Sequence, residues 1–343
     1  MKPALQLGLD TFGDVTLRLD GAASSQAQVV RDVIEEGVFA DQCGVDVFGV
    51  GEHHREDFAV SSPEMVLAAI GARTSRIQLG SAVTVLSSDD PVRAFERFST
   101  LNAATAGRAE IILGRGSFTE SFPLFGYDLA DYEVLFEEKL ALFVELLRSQ
   151  PVTWSGTTRT ALADQRVYPE LETALAAWVG VGGSPQSVAR AARFRLPLTL
   201  AIIGGSPERF APLVDYYRKA LRTQGSDPLP IAIHSPGYVA DSDEMAREEM
   251  FPAMKQNRDR IGAERGWGPM SRQSFDLEVA NGSLYVGSPE TVARKIAGTV
   301  STLGVDRFDL KYSAGPLPHE QLMRCIELYG TKVIPMVREM VGE

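Results

Sequence analysis

A (β/α)8 TIM barrel is the fold this sequence predicts. It would be a single domain over residues 1–343, with an irregular insertion between its seventh and eighth strands. Three observations carry the prediction. Strand-like and helix-like segments alternate eight times along the chain. The 343 residues are 44% apolar, ample for a full core, and α/β barrels exceed the usual domain length as single units. Neither an internal repeat nor a low-complexity tract interrupts the alternation. Local βαβ units look the same in an open doubly wound sheet, and eight in succession favour closure.

Leu5–Phe12 reads as the first strand. Gln26–Gln42 follows as a helix, with Val29, Val30, Val33, Ile34, Val38 and Phe39 at helical spacing. Val45–Gly51 is the second strand. Pro63–Arg73 is a helix opened by Ser62 with proline in its first turn. Ile77–Leu86 is the third strand, and Asp89–Asp90–Pro91 starts a helix to about Ala104. Glu110–Gly114 is the fourth strand and Tyr132–Leu147 a long amphipathic helix. Strand Ala177–Val181 precedes helix Pro185–Phe194, and strand Leu198–Ile203 precedes a helix from about Pro207 to Thr223. Leu229–Val239 is the seventh strand. Helical material at Ser242–Ile261, a glycine-containing loop and helix Pro289–Leu303 lead to the eighth strand, Arg307–Tyr312. A closing helix runs from about Pro318 to Val341. Trp154–Pro169 and Glu264–Ser283 are the least regular stretches. The second is polar with several glycines, either a mobile lid over the C-terminal face or a disordered surface loop.

The net charge of −11 argues against nucleic acid or an anionic membrane as partner, since both call for a basic surface. A small anionic ligand needs only local donors and stays open. Cys43 and Cys325 lie far apart with no CxxC or zinc spacing, which points to a disulfide-free, cytoplasmic protein. Met1–Asp10 carries no signal peptide. The most apolar run, Leu140–Leu147, is too short for a bilayer and contains Glu145.

Catalytic groups of such a barrel lie at the C-terminal ends of its strands. The second strand ends in Glu52, His53 and His54. Side chains alternate along a strand, so the two histidines cannot easily face one cavity. One is expected to handle protons near neutrality; the alternative is a structural histidine bonded to a carboxylate. No H-x-x-x-H or third ligand supports a metal. Arg115, between Gly114 and Gly116, can grip an anion; the alternative is a turn with a solvated arginine. Gly182, Gly183, Ser184 and Pro185 open a helix, with Ser187 inside its first turn. Free N–H groups, the helix dipole and two hydroxyls make this either an anion site or a well-capped helix. Neither a Walker pattern nor GxGxxG is present.

Taken in order, "GVDVFGVGEHH", "GSAVTVLSSDDPVRAFERFSTLNAATAGRAEIILGRG", "GGSPQSVARAARFRLPLTLAII" and "NGSLYVGSPETVARKI" resemble the bacterial luciferase-like flavin monooxygenase family, almost end to end. The resemblance implies a TIM barrel binding FMN at its C-terminal mouth, mostly as reduced flavin from a separate reductase, and acting with oxygen on a small organic substrate. It assigns acid–base work in oxygen transfer to His53, tuned by Glu52, and turns His54 away, toward a subunit interface. Arg115 matches a phosphate- or flavin-contacting arginine, and Ser184 and Ser187 match phosphate-binding hydroxyls beside Gly182 and Gly183. Ala82–Val83 matches a non-prolyl cis peptide under the isoalloxazine ring. Phe118 joins the cofactor site where luciferases have a tyrosine. Gly114 stands where they carry a reactive cysteine, and Gly183 replaces an acidic residue, so light emission is not expected. Relatives of the same fold use the deazaflavin F420 for hydride transfer, which is the alternative; a flavin-binding protein without turnover is another. The helices Pro63–Arg73 and Asp90–Ala104 would form a homodimer interface by the same analogy.

Overall fold

The computed structural model describes residues 4–18, 20–148 and 150–343. Eight parallel strands close a barrel: β1 (Gln6–Thr11), β2 (Val47–Val50), β3 (Gln78–Ser81), β4 (Ala109–Gly114), β5 (Ala176–Val181), β6 (Leu198–Ala201), β7 (Ile231–Val239) and β8 (Arg307–Lys311). Each pairs with the next, and β8 returns to β1 with Gln6 opposite Arg307 and Asp10 opposite Lys311. The predicted barrel is therefore the observed one.

Both faces of such a strand are covered, so the strands are buried along most of their length, and alternation decides which layer each residue joins. In β8, Phe308 and Leu310 join the main core, where helices cover the sheet. Arg307 and Asp309 point inward, where Arg307 Nε bonds both Asp309 oxygens at 2.8 Å and Nη1 bonds Glu110 of β4 at 2.5 Å. Ile112, Trp178 and Ala232 form a small apolar cluster inside the barrel, with Val83 packed on it.

The outer helices are α1 (Gln26–Cys43), α2 (Pro63–Gly71), α3 (Pro91–Ala104), α4 (Tyr132–Arg148), α5 (Pro185–Phe194) and α6 (Ala211–Thr223). Their starts follow the local chemistry the sequence shows. Asp90 accepts from the N–H groups of Val92 and Arg93 ahead of Pro91, and Ser184 accepts from Ser187 ahead of Pro185.

The two stretches that read as irregular are more ordered than expected. Val152–Trp154 and Leu162–Gln165 pair as a short antiparallel hairpin. The insertion between β7 and β8 holds α7 (Asp243–Arg265) and α8 (Arg272–Asn281), then a strand, Tyr285–Gly287, that extends the β7 edge. Helix α8 falls within the stretch Glu264–Ser283. It buries only Phe275 and Val279, one turn apart, and is fixed by a capping box between Ser271 and Ser274. So weak an apolar stripe looks like a loop in the sequence. The chain ends with α9 (Pro289–Leu303), α10 (His319–Leu328) and α11 (Ile334–Val341), the last two joined through a widened turn at Tyr329–Val333 where one continuous helix is expected. Among the described residues no helix is long and apolar enough to cross a membrane. Cys43 and Cys325 are free thiols.

Lys139 is buried in the helical layer and Lys295 is half-buried there. Lys139 of α4 donates to the Ser87 carbonyl at 2.7 Å and lies 3.8 Å above the Tyr127 ring. Lys295 of α9 donates to the carbonyls of Val279 and Leu284, both at 2.7 Å, and so ties the insertion down. Burial pushes both down to about 8, against the pull of Asp89 and Asp90 on one and of Glu278 and Glu208 on the other. Their ordinary value is 10.5, so between about pH 8 and 10.5 the unfolded chain holds protons that the native protein has released. These two groups are thus expected to add stability as pH rises through that window. Melting temperature against pH should show a steeper alkaline decline in Lys139→Met and in Lys295→Met than in the wild type, because each variant lacks one of these rising contributions. Parallel limbs would exclude the effect.

Candidate active site at the barrel mouth

The mouth is shaped first by what glycine leaves out. A Cβ at Gly49 would lie 3.0 Å from the Cβ atoms of both Ala82 and Asp10, and one at Gly51 would overlap Phe12 and sit 2.9 Å from the Ala82 carbonyl. The bare end of β2 therefore lets Phe12 and the Ala82–Val83 segment close over it. The Ala82–Val83 peptide bond is cis. Val83 in turn fills the space at Gly114, where a Cβ would overlap its Cγ2, and approaches Gly180 from the other side. Gly114 is thus required by Val83, and a cysteine there would displace it.

His53 stands above this floor. Its backbone N–H donates to the Val60 carbonyl at 3.0 Å. Its ring packs on Phe58 (centroids 4.4 Å apart) and meets Phe12 and Phe118 edge-on at 4.8 and 5.1 Å. Phe118 lies near two guanidinium groups, Arg55 at 4.6 Å and Arg265 at 5.1 Å. The end of α7 reaches over the mouth in the same place: Arg265 donates to the Ser117 carbonyl at 2.9 Å, and Glu264 pairs with Arg55.

The expected pairing of Glu52 with His53 is corrected. Glu52 Oε1 lies 2.9 Å from His54 Nε2, and Oε2 accepts from the Val85 N–H at 2.9 Å. Residues two apart on an extended chain share a side, so Glu52 meets His54 and His53 faces the other way. The carboxylate nearest His53 is Glu120, with Oε1 3.9 Å from Nδ1. Burial opposes ionisation of Glu120, but the His53 imidazole, the residue's own backbone N–H and the Arg55 charge outweigh it and hold the carboxyl below its ordinary range.

The predicted anion site assembles from three segments. Gly183 adopts φ +106° after β5, and no atom lies within 4 Å of where a Gly182 side chain would begin. Ser184 caps α5, its Oγ 2.9 Å from Ser187 Oγ. Arg115 Nη2 donates to Ser187 Oγ at 3.2 Å, while Nη1 pairs with Glu133 and the guanidinium lies 5.2 Å from the Tyr132 ring centroid. Tyr132 holds the loop by donating to the Gly116 carbonyl at 2.8 Å. Gly116 has φ +80°, and a Cβ there would lie 2.8 Å from Val85. A guanidinium, two hydroxyls and the open first turn of a helix form a donor set suited to a phosphate.

Sequence reasoning missed Asp10 and His234. Both project into the mouth, with His234 Nδ1 2.7 Å from Asp10 Oδ2 and its ring parallel to Phe12. The signal was a strand, "IAIHSPG", with one polar residue at an inward position.

Residues 11–307 match the family model of luciferase-like monooxygenases. The solved monooxygenase RslO1 from Streptomyces bottropensis superposes with a TM-score of 0.85 at 22% identity, covering 96% of this chain and 99% of that one. The oxygenating constituent of 3,6-diketocamphane monooxygenase from Pseudomonas putida, solved with FMN, gives 0.75 at 19% identity, covering 97% and 99%. An F420-dependent secondary alcohol dehydrogenase gives 0.78 at 15% identity, covering 98% and 100%. A match over this much of the chain is decisive: the protein belongs to the luciferase-like monooxygenase family.

Proposed function

We propose that the protein is a two-component monooxygenase that takes reduced FMN from a separate reductase and transfers one atom of O2 to a small organic substrate. The observation that carries this is the cradle of Arg115, Ser184 and Ser187, on the same mouth as the cis Ala82–Val83 segment and His53. The donor set fits the phosphate of FMN, with Gly182 and Gly183 letting it approach the backbone. Ala82 and Val83 offer a small, flat support for the ring. When bound, reduced FMN supplies the electrons that activate oxygen. The protein's part is to exclude water and manage a proton. Phe12, Phe58 and Phe118 form apolar walls around His53, and His53 carries the proton at its imidazole with Glu120 as the nearby carboxylate.

His53→Ala is expected to leave reduced-FMN affinity within about twofold of wild type while nearly all consumed oxygen returns as hydrogen peroxide, since acid–base help worth about a hundredfold or more is gone. Anaerobic titration followed by oxygen uptake and peroxide assay reads both. Lost FMN binding would instead make His53 structural. F420 is the second reading, motivated by the likeness to the F420-dependent dehydrogenase. Arg55 and Arg260 near the mouth are already paired with Glu264 and Glu56, so these two offer its acidic tail little free charge. Turnover with F420 and none with FMN would replace the FMN reading. The proposal includes a homodimer through α2 and α3, where Met65 stands exposed; sedimentation velocity checks it.

A further inference from the structure

A second imidazole on the floor of the mouth has no task in that scheme. Asp10 is 2% exposed, and its Oδ1 is buried with no hydrogen-bond partner among the described residues. Native proteins rarely leave such an atom bare; an ordered water, a ligand or a reaction accounts for those they keep. Asp10 Oδ2 is bonded to His234 Nδ1 at 2.7 Å. An ionised carboxylate only accepts, so the proton of the neutral ring belongs on Nδ1, and Nε2 carries the lone pair. The His234 side chain keeps 12% of its surface exposed, so the ring is open to a ligand in the mouth.

The surroundings are aromatic and apolar. The His234 ring is parallel to Phe12 (9°, centroids 5.9 Å), and Phe12 also meets His53, so one phenylalanine separates the two imidazoles. The Ile112, Trp178 and Ala232 cluster lies inside the same barrel. The charged groups nearby are otherwise engaged. Asp309, opposite His234 in register, is held by Arg307. Lys311, opposite Asp10, is held by Asp14 and lies 4.4 Å from the Phe12 ring centroid. The β6 neighbour of His234 is Ala201, without charge.

We propose that His234, oriented by Asp10, is the base that takes the proton of a phenolic or enolic hydroxyl on the substrate. The substrate O–H bond breaks, the proton passes to Nε2, the electron pair stays on the substrate oxygen, and the imidazolium remains bonded to Asp10. The inference rests on the monooxygenase reading, because a phenolate or enolate carbon is a ready acceptor for an electrophilic oxygen atom. Aromatic walls around a carboxylate-backed imidazole favour a flat ring bearing an acidic hydroxyl over an aliphatic amine or acid.

The test uses the full chain without flavin and 4-nitrophenol as probe, since its phenolate absorbs in the visible. At a given pH the ratio of phenolate to phenol is expected to be about tenfold higher for the bound probe than for the free one, which corresponds to a phenol pKa lowered by about 1. His234→Gln and Asp10→Asn should each remove that gain. In 15N spectra of the ligand-free protein, His234 should carry its proton on Nδ1 and lose that preference in Asp10→Asn. Absence of saturable binding, or an equal gain in both variants, overturns the proposal. If His234→Gln does not fold, the near-isosteric Asp10→Asn decides. FMN titration of the same samples separates the two ideas. FMN binding without a phenolate gain sinks this inference alone. A phenolate gain without FMN binding sinks the flavin reading and supports the base.

Discussion

Arg307→Met is expected to cost about 3–5 kcal/mol of folding stability, the usual result of leaving buried charge without its partner. Arg307 is 2% exposed and neutralises two carboxylates, Asp309 beside it on β8 and Glu110 across the barrel on β4. Its guanidinium also lies 5.5 Å from the Trp178 ring centroid. Gly80 makes room for this arrangement: a Cβ there would lie 2.7 Å from Glu110 Oε1. Methionine keeps much of the volume but supplies no donor. The loss should depend on pH. Burial already pushes Asp309 up to about 6, against the pull of Arg307. Without Arg307 the native state holds that proton to higher pH still, whereas the unfolded chain releases it near about 4. A carboxyl with a raised native pKa binds more protons folded than unfolded, so stability falls as pH rises through the window. The deficit should therefore be smallest near about pH 5 and grow toward about pH 8. Replacing all three residues together (Arg307→Met, Glu110→Leu, Asp309→Leu) is expected to recover most of the loss, because no unpaired charge then remains. Urea denaturation at several pH values tests each step. A single variant within about 1 kcal/mol of wild type would mean the triad is solvated or dispensable.

The same triad shows what can be read from the chain alone. "RFDLK" is legible as a strand because Phe308 and Leu310 alternate with charged residues. That the charged side of this strand faces inward is not legible, since it depends on closure and on Glu110, 197 residues away. Local chemistry fares better. The Ser184–Pro185 start and the glycines before it announce a capped helix from neighbouring residues, and the structure adds Arg115, 72 residues from Ser187. His53 stands out as half of a doublet. Its expected partner fails because adjacency in sequence is not contact: alternation puts Glu52 with His54. The carboxylate that does approach His53, Glu120, sits in an irregular segment with no local signal. His234 is hidden for a related reason. Its partner Asp10 is 224 residues distant, and a lone histidine in a strand carries no chemistry until the barrel closes.

For FMN the largest expected effect is at Arg115. Arg115→Ala should weaken binding by about 10- to 150-fold, the loss of a charge-assisted hydrogen bond worth about 1.5–3 kcal/mol. Ser187→Ala, which removes a neutral hydroxyl, should cost about three- to tenfold. Glu133 bears on the sign of a third change. It pairs with Arg115 Nη1 and is largely exposed, so in the free protein it competes with an incoming phosphate for the same guanidinium. Glu133 also bonds Arg190, which keeps a second partner in Glu137. Glu133→Gln is therefore expected to tighten FMN binding, not weaken it. Riboflavin, which lacks the phosphate, makes the comparison specific: its affinity should be unchanged in all three variants. Fluorescence titration of both ligands gives the answer. If riboflavin weakens in parallel with FMN, the damage is general and the Arg115–Ser184–Ser187 cradle does not hold the phosphate. If FMN alone responds, and Glu133→Gln moves opposite to Arg115→Ala, then the anion is bound by that guanidinium and the orientation of the cofactor in the mouth is fixed from its tail.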